Sequence, residues 1–486
     1  MPKDITRIIN KIKTLFSEIT EVERIENGCF KNETETFSDL PSLCRVVIVS
    51  KPGKGSLINS ELWLPDNWNG VFIGCGNGGM AGAIRYEKLT YYSKLGYAVA
   101  NTDMGTSGDR NRGIDNPDVW KDFGWRATHI MTEISKAIIK EYYGKKESYS
   151  YFVGESTGGQ QAYSEAQRFP DDYNGIIAGV PANNRVFLHT YFLWNHNLLR
   201  TKDGKTMFSS EKITQITDVA NEYFSLKDSS EKKDYVSFPY VDKSTIDDFL
   251  GFLKEKCPEF TKEQLTSLEM VYKGPVNPET NEQIYNGMPI GSEVYTCGIE
   301  MCQKEESPFF YPFIWAFGED YDGYEFDFSA DLDRLHRKLS PYLNANNPDL
   351  SDFYRRGGKL MAYSGSADPC VPYPDAIKYY NRVCEKMGGY EIVKSFFKFY
   401  ILPGKEHSTK GRGVNEIWAN ESGDLLLDAL RQWCENEIEP SCIIGAHVDE
   451  ESDEARVTSI QKVYPYESEK TEETDYPKSC DVRYLD

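Results

Sequence analysis

The chain has 486 residues, 40% of them hydrophobic and 27% charged, and a formal net charge of −21. Such a length can bury a large core and more than one structural unit, while such a charge argues against nucleic acid or an anionic membrane as partner, since both need a basic patch. No apolar run approaches a membrane span, and the eleven cysteines show no Cys-x-x-Cys spacing, so a zinc ribbon is not indicated.

From Met1 to Gly28, the residues Ile5, Ile8, Ile9, Ile12, Leu15, Phe16 and Ile19 recur among charges, which predicts an amphipathic helix in place of a signal peptide. Two β-runs follow, at 44–50 and 60–64, around a turn at Pro52-Gly53. A third, at 69–74, flows into Cys75-Gly76-Asn77-Gly78-Gly79-Met80-Ala81-Gly82. Glycine at that density lets backbone N–H groups face a ligand. A phosphate loop would need a following Gly-Lys-Ser/Thr, and a dinucleotide site a different glycine spacing; neither is present.

A helix is expected at 85–94, a strand at 97–101 and a helix at 126–143, where Ile130, Ile134, Ala137, Ile138 and Tyr142 share one face. The chain then reads Ser148-Tyr149-Ser150-Tyr151-Phe152-Val153-Gly154-Glu155-Ser156-Thr157-Gly158-Gly159-Gln160. An apolar β-run, a Gly-x-Ser-x-Gly turn and a helix (160–168) make the nucleophile elbow of an α/β-hydrolase, with Ser156 at its tip. Gly154 and Gly158 flank the serine because side chains there would strike the neighbouring strand and helix. In that fold the loop after the third strand supplies half of the oxyanion hole, which assigns the glycines at 76–82. Another β-run at 175–180 completes a strand–helix alternation typical of a parallel sheet covered on both faces.

From 182 to 350 the alternation disappears, and the segment reads as an inserted lid domain with helices near 210–224 and 245–253. Residues 1–181 and 351–486 form the two parts of the hydrolase core. The aromatics Phe309, Phe310, Tyr311, Phe313 and Trp315 could line a pocket but at that density read as lid core. The sheet resumes at 359–364 and leads to Asp368; a run at 395–402 leads to His407. Ser156, Asp368, His407 is the chain order this fold uses. Asp375 opens a helix (374–384) and reads as part of its N-terminal turn. Of six histidines only His407 follows a late strand directly; His129 lies in a helix, His189, His196 and His336 in the lid, and His447 among acidic residues. A neutral imidazole is the base a serine hydroxyl needs near pH 7, and a carboxylate on its other nitrogen fixes the tautomer. Thr157 and Gly78 are the expected oxyanion donors.

These motifs, with Glu165-Ala166-Gln167-Arg168-Phe169-Pro170, Gly175-Ile176-Ile177-Ala178-Gly179-Val180-Pro181-Ala182, Tyr285-Asn286-Gly287 with Gly291-Ser292-Glu293, and Leu402-Pro403-Gly404 before His407, resemble the tannase and feruloyl esterase family over nearly the whole chain. The resemblance implies a large lid and hydrolysis of phenolic esters, galloyl or hydroxycinnamoyl. Members typically join a cysteine before the serine to one after the histidine; here those positions are Glu155 and Ser408, so packing or hydrogen bonding must hold the loops. The lid's calcium loop has no counterpart pattern at 226–242, so no calcium and no cofactor are expected. With Cys257 and Cys480 lacking family partners, shed disulfides fit the cytoplasm, with a secreted form whose leader was trimmed as the alternative. The partner expected is a small aromatic or plant-derived ester, with no nucleic acid and no membrane. A short-chain acetyl esterase and an inactive binding protein are the competing readings.

Overall fold

The computed structural model describes residues 17–26, 28–227, 235–237, 243–305, 307–449, 456–467 and 482–484. The described chain divides into two compact units, one of residues 1–185, 311–321 and 337–360, the other of residues 186–310, 322–336 and 361–486.

Seven strands carry the first unit: β1 (Ser17–Ile25), β2 (Leu43–Ser50), β3 (Ile58–Pro65), β4 (Val71–Cys75), β5 (Ala98–Thr102), β6 (Tyr149–Glu155) and β7 (Gly175–Gly179), ordered β1-β2-β3-β5-β4-β6-β7. The first three pair antiparallel, and β3 joins β5 antiparallel. From β5 through β4 and β6 to β7 every pairing is parallel. These inner strands are buried on both faces, as their runs of Val, Ile, Phe and Ala require.

Helices α1 (Tyr86–Lys94), α2 (Ala127–Tyr143) and α3 (Thr157–Arg168) are the crossovers between parallel strands. The face of α2 formed by Met131, Ile134 and Ile138 is buried, and Gly144 ends the helix in the left-handed region at φ 74°. Within this unit Tyr311 and Trp315 pack edge-on against Phe123, with ring centroids 5.6 and 5.5 Å away, so these aromatics are core.

The N-terminal helix expectation is corrected where it can be checked. Residues 17–25 form β1, an edge strand paired with β2 whose register shifts between Ile19 and Glu21; residues 1–16 lie outside the described residues. Glu21 and Glu23 on this strand reach the Arg45 guanidinium, 3.1 and 3.2 Å away, so its charges serve strand pairing.

The second unit contains the remainder of α4 (Arg185–Leu198), the helices Ser210–Lys227, Lys243–Lys256 and Lys262–Lys273, and the neighbouring strands β8 (Lys359–Gly365) and β9 (Phe397–Leu402). Leu199, Phe208, Ile216, Phe249, Leu253, Phe260, Leu268 and Tyr272 belong to a core of its own. An antiparallel sheet of Glu416–Trp418, Ile443–Asp449, Arg456–Val463 and Val482–Tyr484 completes it. The expected absence of a calcium pattern at 226–242 falls largely outside the described residues, as does Cys480.

Candidate active site

Ser156 stands between β6 and α3 at φ 60°, ψ −115°, a region that costs a non-glycine residue of order 1–3 kcal/mol. The turn is held at both ends: Ser156 N–H donates to Gly179 O at 2.9 Å, and Ser156 O accepts from Gln160 N at 3.1 Å and Ala182 N at 3.0 Å. Three glycines make it possible. A Cβ on Gly154 would lie 2.3 Å from Gly158 O, and one on Gly76 would lie 2.5 Å from Gly158 Cα. The glycine-rich loop thus packs backbone to backbone against the elbow.

Hydrogen bonds fasten that contact. Gly158 N–H donates to Asn77 O at 2.8 Å, Asn77 N–H to Gln161 Oε1 at 2.8 Å, and Thr157 Oγ1 to Gly79 O at 2.6 Å. Asn77 Nδ2 also donates to Thr102 O at 2.8 Å, tying the loop to the end of β5. With Gly158 N–H committed, the Thr157 N–H is left without an acceptor among the described residues, as are the N–H groups of Gly78 and Gly79. Gly78 has no atom within 4 Å of where a Cβ would lie. Both expected donors therefore retain an unspent N–H.

In the second unit, Asp368 follows β8 and His407 follows β9. His407 Nδ1 and Asp368 Oδ2 are 2.8 Å apart. Asp368 is fully buried, and its other oxygen accepts from the N–H groups of Cys370 at 2.7 Å and Val371 at 3.0 Å. These bonds fix the orientation of the carboxylate. Burial alone would lower the imidazole pKa, but the Asp368 charge and hydrogen bond, with Cys297 beside them, raise it to about 9. Ser408 donates to Glu406 Oε1, and Glu406 Oε2 accepts from Thr296 N–H at 3.2 Å, so the loop after His407 has polar anchors.

The other histidines have structural partners. His189 and His196 meet the carbonyls of Phe309 and Cys302 at 2.6 and 2.9 Å, and His447 meets that of Gly413 at 2.6 Å. His129 Nδ1 lies 2.6 Å from Asp172 Oδ2, with its ring stacked on Phe169. Together with Glu165 it forms a group whose metal-ligating atoms lie within 4.8 Å of one another. Burial, then the Asp172 charge, push Glu165 far up, and the Lys136 ammonium donates to Asp172 O. A neutral acid and an ammonium suit a structural tie better than a cation site. Asp375 lies in the first turn of the helix Tyr373–Met387, as its sequence context implied.

A strained serine between strand and helix in a parallel sheet, and a histidine–aspartate pair after two later strands, are the parts of an α/β-hydrolase. The profile of the family described as tannase and feruloyl esterase matches residues 44–475, and the chain belongs to that family. It is a carboxylic ester hydrolase. A probable feruloyl esterase B-2 of Aspergillus flavus is 29% identical over 84% of this chain and 81% of its own. An uncharacterized esterase of Xanthomonas campestris is 30% identical over 89% and 82%. The fold matches that of feruloyl esterase B from Aspergillus oryzae with a TM-score of 0.80 at 23% identity, over 95% of each chain. Tannin acyl hydrolase from Aspergillus niger gives 0.74 at 17%, over 100% and 97%.

Sequence reasoning missed the network beneath the elbow. Asn77, Gln161 and Arg185 carry no motif signal of their own, because their partners are far apart in the chain.

Proposed function

We propose that the chain hydrolyses esters of phenolic acids, galloyl or hydroxycinnamoyl, through an acyl-enzyme on Ser156. Ser156 Oγ attacks the ester carbonyl carbon while His407 Nε2 takes its proton. The carbonyl π electrons move onto oxygen, and the N–H groups of Thr157 and Gly78 hold that oxyanion. Collapse expels the alcohol, which takes the proton from His407. Water, deprotonated by the same imidazole, then attacks the acyl group and releases the carboxylic acid with Ser156 restored. Asp368 keeps Nδ1–H bound and stabilises the imidazolium.

The observation that carries this reading is Ser156 at φ 60° with the Thr157 N–H unspent beside it. Backbone strain of this kind persists where surroundings enforce it, and an unpaired buried N–H is best explained by a ligand oxygen. The phenolic acyl group is supported by the family and by the names of its members. The chemistry needs no cofactor, since every proton and charge is carried by the residues named.

Among the described residues, no helix is long and apolar enough to cross a membrane. None of the ten described cysteines forms a disulfide, which supports a reducing, cytoplasmic compartment.

A fluorophosphonate probe, read by peptide mass, should modify Ser156 alone. Methyl ferulate and methyl gallate should be turned over faster than the matching acetate. Turnover of the acetate alone would make the chain a short-chain esterase, and an unmodified Ser156 would sink the mechanism.

A further inference from the structure

Arg185, the first residue of α4, is 3% exposed and belongs to the same unit as the elbow. No carboxylate among the described residues pairs with it. Its Nε donates to Gln160 Oε1 at 2.8 Å and its Nη2 to Thr157 Oγ1 at 2.9 Å; Nη2 also meets Gln160 Oε1. Its guanidinium lies 5.4 Å from the centroid of the Phe123 ring. Gln160 is held in turn, its Nε2 donating to Leu343 O at 2.7 Å.

Burying a cation with neutral partners only is costly, and a structural role alone would be met as well by an apolar side chain of similar size. The position explains the exception. Thr157 Oγ1 accepts from Arg185, which leaves its own proton for Gly79 O, 2.6 Å away. One fork therefore fixes the Thr157 rotamer, the glycine loop and the first turn of α3 together. The positive charge is one hydrogen bond away from the side chain of Thr157, the residue whose N–H is the oxyanion donor of this reading. An unneutralised cation in a low-dielectric setting favours a negative charge formed nearby more in the transition state than in the neutral ester.

We propose that Arg185 is a positioning residue for the hydrolysis: through Thr157 it sets the two halves of the oxyanion hole against each other and biases them toward the anion. This rests on the reading of Thr157 N–H as an oxyanion donor. It requires that kcat and the binding of a tetrahedral anion depend on Arg185 while ground-state binding does not.

The test compares Arg185→Gln, Arg185→Lys and Thr157→Val with the native enzyme, using methyl ferulate kinetics, inhibition by an arylboronic acid and thermal melting. Arg185→Gln should lower kcat about 10–100-fold, the range for a group acting through another, with KM within roughly threefold. The boronic acid should weaken in step with kcat. Arg185→Lys should recover part of the loss by restoring charge without the fork. Thr157→Val should reproduce the Gln variant, and the double variant Arg185→Gln/Thr157→Val should lose little more than either alone. An unchanged kcat and boronic acid affinity in Arg185→Gln would overturn the proposal. If that variant melts too low to assay, a Thr157→Val enzyme with native kcat overturns it equally. A native enzyme that turns over no ester and leaves Ser156 unlabelled would instead refute the oxyanion reading itself.

Discussion

His407 Nδ1 and Asp368 Oδ2 lie 2.8 Å apart, with the second carboxylate oxygen held by two backbone N–H groups. The aspartate cannot turn away, and the imidazole sits beside a fixed anion. Its pKa is accordingly raised from 6.5 to about 9.

A pH profile follows from that shift. The base form is neutral imidazole, so kcat/KM rises as His407 loses its proton and falls below that pH. The acid limb should therefore lie well above 6.5, toward about 9. Asp368→Asn should move the limb down and lower kcat by roughly 10⁴-fold, because the tautomer is no longer fixed. The linked stability has the opposite sense. A raised histidine pKa contributes stability fully below the unfolded value near 6.5, and that contribution is lost as pH rises through about 9. Denaturant midpoints across this range, native against Asp368→Asn, would show it.

The glycine contacts predict opposite outcomes for two neighbours. Gly76→Ala puts a methyl 2.5 Å from Gly158 Cα and should cost about 1–3 kcal/mol. Gly78→Ala meets nothing within 4 Å and should leave the melting temperature unchanged. Calorimetry of both distinguishes a packed loop from a permissive one.

In the first unit, Arg45 donates to both oxygens of Glu61, Nε at 2.8 Å and Nη2 at 2.6 Å, while Trp63 and Tyr86 complete the shell at 3.0 and 2.8 Å. Glu61→Gln keeps the volume but strands the guanidinium, with only the exposed Glu21 and Glu23 as compensation. The expected loss is about 2–3 kcal/mol, below the figure of about 3–5 kcal/mol for a wholly uncompensated partner. Urea unfolding should show it as a lower midpoint at constant slope.

Much of this was legible in the chain itself. The parallel strands announce themselves as continuous apolar runs, and the elbow by a Gly-x-Ser-x-Gly turn set between strand and helix. Asp368 and His407 stand out in the sequence because each directly follows a late β-run, and the fold brings them within hydrogen-bonding distance. What could not be read is non-local. Arg185 looks like the start of an ordinary helix until Thr157, 28 positions earlier, is seen to accept its hydrogen bond. The edge strand Ser17–Ile25 was mistaken for helix because its apolar residues are sparse, and an edge strand with one open side need not alternate strictly. The anchoring of Ser408 by Glu406 is a partner the sequence did not point to.

The central claim is that Ser156 is the nucleophile toward phenolic esters. Initial rates of methyl ferulate and methyl gallate hydrolysis, measured for the native chain and for Ser156→Ala at matched folding, test it most directly. Turnover of at least one ester by the native chain, falling by roughly 10⁶-fold in the variant, is the expected result. A Ser156→Ala enzyme that retains native rates would show that the reaction runs through another residue.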